Sequence, residues 1–152
     1  MRIRTELLAC ALFVACKAAP PPPAQPLAAR EVQEFIREYV AAQNAGDASK
    51  LMELVSQDSG VTSINMGDID HGWNAIRAST DSTIALSSRV RVTLGTVDVM
   101  PLDADAAIAV AQTHFSPIQA GTFREFSGAM TIVVRRTPAG LRLVHEHYSL
   151  KR

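Results

Sequence analysis

Cysteine occurs only at positions 10 and 16, inside the first sixteen residues, so no disulfide can form within the part of the chain that folds beyond them. Rings are scarce too. Aromatic residues make up 5% of the chain, which leaves few faces to stack bases and puts the core on Val, Ile, Leu and Ala. Fifteen basic residues balance fifteen acidic ones with no block of like charge, so nothing in the electrostatics draws in nucleic acid. No glycine-rich phosphate loop, nucleophile elbow or cysteine cluster is present, and no nucleotide cofactor is expected. At 152 residues the chain is one domain's worth, long enough to bury a core without metals or disulfides.

What the N-terminus does contain is an address. Arg2 and Arg4 precede an unbroken apolar run from Leu7 to Ala15, far short of the ~20 residues a membrane span needs. This is the pattern of a secretion signal, residues 1–16. Its end, Phe13-Val14-Ala15-Cys16, resembles the bacterial lipobox, and that resemblance implies lipidation of Cys16 and a periplasmic, membrane-anchored lipoprotein. An ordinary cleaved signal is the alternative, and both readings export the protein. Residues 17–27 hold five prolines in eleven positions, a linker that favours an extended rod of about 3.1 Å per residue.

The domain, residues 28–152, begins with a helical period. Val32, Phe35, Ile36, Tyr39 and Val40 make one apolar stripe; Gly46 suits a left-handed cap, and Asp47 the N-cap of a second helix carrying Leu51, Leu54 and Val55. A strand from Val61 to Met66, a turn at Gly67-Asp68, and a third helix from Trp73 to about Leu86 follow. Four strands come next, near 89–100, 106–115, 123–136 and 141–150. Prolines 101, 117 and 138 fall between them, where a missing N–H costs no ladder bond. In the first, the apolar phase changes from Val90, Val92 and Leu94 to Val97 and Val99, which predicts a β-bulge at Gly95-Thr96.

The last strand concentrates the candidate chemistry. His145 and His147 are two apart, so unbroken alternation points both imidazoles to one face, shared with Leu141, Leu143 and Ser149. A bulge within the strand would instead turn Val144, Glu146 and Tyr148 inward.

Four local marks carry a resemblance: Asn44-Ala45-Gly46-Asp47 with Leu51 and Leu54; His71-Gly72-Trp73-Asn74-Ala75-Ile76; Gly128 with Thr131; and Leu143-Val144-His145-Glu146-His147-Tyr148-Ser149. In this order the chain from Ala28 on resembles the nuclear transport factor 2-like superfamily and its SnoaL-like domains. The resemblance implies an α+β fold in which a curved antiparallel sheet wraps N-terminal helices into a cone. It implies a pocket lined by Trp73, Met130, Thr131, His145 and His147, holding a small apolar or semi-polar molecule, and pairing of two copies through the outer sheet face.

Three functions stay open on this reading. The first is a binding pocket. In the second, an isomerase, cyclase or dehydratase-like enzyme uses His145 or His147 as general base and Tyr148, Ser149 or Thr131 as oxyanion donor. The mid-strand Asp that isomerases and cyclases of the superfamily use has no counterpart at 106–115 or 123–136. The third is a homodimeric assembly module. His-x-His is also a two-ligand zinc spacing with His71 or His114 to complete it, but no metal is assigned.

Overall fold

The computed structural model describes residues 26–87, 90–117 and 125–151. The expected secretion signal, Cys16 and all but the last two linker residues lie outside them. Leu27, placed in the linker above, is 1% exposed, and its N–H donates to the Asp103 carbonyl at 3.3 Å. Packing therefore starts one residue ahead of the expected boundary.

Helix α1, Ala29–Ala45, buries the expected stripe of Val32, Phe35, Ile36, Tyr39 and Val40. It stops at Gly46, whose φ of 67° is the left-handed conformation that glycine adopts without steric cost. The Asp47 carboxylate then accepts the Lys50 N–H at 2.9 Å and opens α2, Ala48–Leu54. The Asn44 side chain bonds both backbone groups of Val92, at 2.7 and 2.8 Å, and so ties the end of α1 to the sheet.

Beyond α2 come β1, Thr62–Asn65, and β2, Asp68–His71. The turn between them sits at Met66-Gly67, with φ of 53° and 105°, one residue before the expected Gly67-Asp68. That shift frees four residues to pair back on β1, a strand absent from the sequence reading because Asp68, Asp70 and His71 give it no apolar alternation. Helix α3, Trp73–Ser87, leads to β3, Val90–Pro101; β4, Ala106–Pro117; β5, Phe126–Thr137; and β6, Gly140–Leu150. The expected starts at 89 and 123 fall outside the described residues. Pro101 and Pro117 are the final residues of β3 and β4, not loop residues.

The sheet order is β2-β1-β6-β5-β4-β3. From β3 to β6 it is the expected antiparallel meander, but β1 runs parallel to β6, so the α+β fold carries a mixed sheet and not a purely antiparallel one. The parallel pairing begins upstream: Val55 bridges Leu143, and the Ser56 N–H donates to the Leu143 carbonyl at 2.8 Å. Chain leaving α2 is thereby set alongside β6 and travels the same way into β1. The curved, unclosed sheet turns its inner face, including Val92, Ala109, Met130, Ile132 and Leu143, toward the helices.

Two bulges bend it. At the first, Leu94 pairs with Thr113 and Val97 with Ala111, so Gly95 and Thr96 stand against Gln112 alone, as the phase change predicts. The second lies in β6. Val134 pairs with Leu143 and Val133 with His145, which leaves Val144 as the extra residue. Near the C-terminal end the strands approach closely: a Cβ at Gly128 would collide with the Ser149 carbonyl oxygen.

Candidate functional site

The Val144 bulge decides which side chains face the helices. Before it Leu141 and Leu143 are buried; after it the inward set changes parity, and Glu146 and Tyr148 are buried, at 7% and 8% exposure. His145 and His147 consequently lie on the outer face, which corrects the alternation read from the sequence. His145 Nδ1 is 2.7 Å from the Thr62 hydroxyl on β1. Burial first, and the neighbouring His147 second, lower the His145 pKa below its ordinary value. His114 is also external, 2.9 Å from the Ser127 hydroxyl. Among the described residues no three His, Cys, Asp or Glu side chains gather as metal ligands.

A cavity of about 270 Å³ opens between the helices and the inner sheet face. Tyr39 and Gln43 enter it from α1, Leu51 from α2, and Ile76, Ser79, Thr80, Thr83 and Ile84 from α3. The sheet contributes Ser63 and Asn65 of β1, Asp70 of β2, Val92 of β3, Phe115 of β4, Phe126 of β5, and Glu146 with Tyr148 of β6. Tyr148 is the one predicted site residue among the lining. Trp73 lies in a separate groove beside His71, its indole N–H donating to the Met52 carbonyl at 3.3 Å. Met130 is fully buried in the core, and Thr131 sits in register with His147, toward the outside.

Glu146, which the bulged alternative for this strand turns inward but to which the sequence reading gave no chemical role, is the centre of the cavity's polar groups. Its carboxyl accepts hydrogen bonds from the Tyr39 hydroxyl at 2.7 Å and the Ser63 hydroxyl at 2.8 Å. Burial raises its pKa, the two hydroxyls pull it down, Asp70 pushes it up, and the net direction is upward. Burial chiefly, then the Glu146 charge, holds the pKa values of Tyr39 and Tyr148 well above the ordinary value, so both remain protonated donors. Tyr39 uses its proton on Glu146. The Tyr148 hydroxyl and the Gln43 side-chain carbonyl are buried with no partner among the described residues.

The walls around these groups are apolar and aromatic. Phe115 and Phe126 stack with centroids 4.6 Å apart, and Tyr148 meets Phe115 edge-on at 6.4 Å. At about 270 Å³ the space falls just below the ~300–1,000 Å³ usual for ligand pockets, and it pairs apolar walls with a few polar groups as such pockets do.

Solved structures of similar fold span most of the chain. A candidate dehydratase of the nuclear transport factor 2-like family from Streptomyces avermitilis superposes with a TM-score of 0.73 at 22% identity, covering 81% of this chain and 95% of that one. A candidate calcium/calmodulin-dependent protein kinase type II association domain from Thiobacillus denitrificans gives 0.70 at 23% identity, covering 79% and 94%. A nuclear transport factor 2-like protein with a cystatin-like fold from Novosphingobium aromaticivorans gives 0.67 at 29% identity, covering 80% of each chain. No curated protein matches the chain. The SnoaL-like domain model matches residues 32–151, the helices and strands that build the cavity, and the chain belongs to that family.

Proposed function

We propose that the domain holds a small semi-polar molecule in the cavity between its helices and sheet. The observation that carries this reading is the pair of unpartnered buried polar atoms, the Tyr148 hydroxyl and the Gln43 carbonyl oxygen, facing a space with largely apolar walls. Buried polar groups are nearly always hydrogen-bonded, and a ligand with one donor and one acceptor would satisfy both. Native mass spectrometry of the protein purified from its own cells tests it. A retained small molecule, lost in Tyr148→Phe, is the expected result; an empty native protein together with no response to a ligand panel defeats the reading.

A second reading is favoured by Glu146: proton-transfer catalysis of the dehydratase or isomerase kind. A carboxyl desolvated in an apolar cavity has a raised pKa, which suits a base that must take and return a proton near neutral pH. Glu146 would accept the proton from carbon, and the Tyr148 hydroxyl would steady the developing oxyanion. The likeness to the Streptomyces candidate dehydratase agrees with this at the level of fold. Here Glu146→Gln should lower turnover by about 10²–10⁴-fold, the usual worth of a general base.

Two further parts of the proposal concern where the domain works and with what. Cys16 would tether it to a membrane through lipid, with release of the protein to the soluble periplasmic fraction expected in Cys16→Ser. Two copies would pair through the outer sheet face, where Ile69, Met100 and Val110 are exposed. Light scattering at micromolar concentration should return twice the chain mass, and Val110→Lys should halve it.

A further inference from the structure

We infer that the ligand of this cavity is a small organic ammonium ion carried on a ring or a short apolar chain. The inference rests on the cavity being a ligand site and goes further by naming the chemical class. Three acceptors converge on the space: the Glu146 carboxyl, the Asp70 carboxyl on β2 and the unpartnered Gln43 carbonyl oxygen. Among the described lining residues none is Lys, Arg or His. An anionic ligand would meet two acids and no countercharge, so the lining discriminates against it.

A neutral alcohol brings one donor. An alkylammonium brings three, one each for the Gln43 carbonyl, a free lone pair of Glu146 and the Asp70 carboxyl. Hydrogen bonds to ionised partners are roughly twice as strong as neutral ones, and a partly buried carboxylate compensates the desolvation of a cation that apolar walls alone would reject. The stacked Phe115 and Phe126 rings, with Tyr148 edge-on beside them, offer π faces both to an aryl group and to the cation itself. The small volume limits the carrier to one or two rings.

Proton release is a separate signature. Burial raises the Glu146 pKa, and a cation beside the carboxyl reverses that push. Binding of an ammonium at mildly acidic pH should therefore expel a proton, and the calorimetric enthalpy should vary with the ionisation enthalpy of the buffer.

The test is isothermal titration of the full chain with three probes matched in shape: phenethylamine, phenethyl alcohol and phenylacetate. The amine should bind at least about tenfold more tightly than the alcohol, with buffer-dependent enthalpy, while phenylacetate should show no binding. Glu146→Gln should remove that preference, bringing the amine down to the affinity of the alcohol in the same variant. If Glu146→Gln does not unfold cooperatively, Asp70→Asn at the half-buried rim replaces it and should weaken the amine alone by about threefold. Equal or tighter binding of the alcohol, measurable binding of phenylacetate, or an amine preference that survives these substitutions overturns the ammonium inference and leaves the pocket standing. Failure of all three probes to bind also overturns the ammonium inference, whereas the pocket reading falls only if the native protein is found empty as well.

Discussion

The Tyr39 hydroxyl donates a 2.7 Å hydrogen bond to the Glu146 carboxyl across a sequence separation of 107 residues, joining the first helix to the last strand inside the protein. Each partner answers a need of the other. The phenol finds an acceptor in the core, and the carboxyl, cut off from water, recovers part of its lost solvation. Tyr39→Phe keeps the ring packing and removes only this bond. It should lower stability by about 1–3 kcal/mol, the range for a hydrogen bond to a charged or buried partner, read from urea unfolding midpoints at constant slope.

Glu146 should also leave a mark on the pH profile of stability. Its folded pKa lies above the ordinary value of 4.5, so across that window the native chain holds a proton the unfolded chain has lost. Stability from this group is therefore full below about 4.5 and declines as pH rises through the folded value. Glu146→Gln retains the shape and cannot ionise. Thermal midpoints of the variant should be flatter than wild type over that interval, and an unchanged slope would contradict the burial argument.

Substitutions in β6 separate its two faces. His145→Ala and His147→Ala touch the outer surface and should leave ligand affinity within about twofold of wild type, a few tenths of a kcal/mol. Tyr148→Phe, which removes an unpartnered donor from the cavity, should weaken a hydrogen-bonding ligand by about 1 kcal/mol, roughly five- to tenfold. Histidine titration by NMR gives an independent check, since His145 should protonate below its ordinary value of 6.5.

Val144 carries the bulge, and the strand should survive its deletion. Without the extra residue, regular alternation turns Leu141, Leu143, Glu146 and Tyr148 to one face, so the deletion keeps both pairs inward and the register with β5, and removes only the local bend. The deletion should leave a folded, soluble protein at a cost of about 1–3 kcal/mol, and Val144→Ala should cost about 1 kcal/mol. Circular dichroism and denaturant titration distinguish the outcomes.

Gly128 tests the closeness of β5 to β6. A methyl at this position collides with the Ser149 carbonyl, a backbone atom that cannot rotate aside. Gly128→Ala should destabilise the fold by about 1–3 kcal/mol, typical of overpacking, with loss of amide protection concentrated at the end of β6.

The two bulges show how far local pattern reaches. At Gly95-Thr96 the apolar residues themselves change parity, from Val92 and Leu94 to Val97 and Val99, and a glycine marks the place. At Val144 the same change occurs, but the residues that turn inward afterward are a glutamate and a tyrosine, and no glycine occupies the bulge. Histidines at 145 and 147 looked equally acceptable as pocket groups. A parity test on Leu143 against Tyr148 was the available signal, and it competes with the polar character of Glu146.

The order of residues alone determined the stripe of α1, the Gly46 and Asp47 caps, the four-strand meander and the first bulge, because each depends on neighbours within a few positions. It also carried the family, since those elements occur in one sequence. Only the tertiary structure decided that β1 lies parallel to β6, that Trp73 sits outside the cavity, and that Glu146 faces Tyr39 and Ser63 within it. Those outcomes are set by pairings between distant segments. A charged side chain enters the core only where such a segment supplies the hydroxyls that make its burial tolerable.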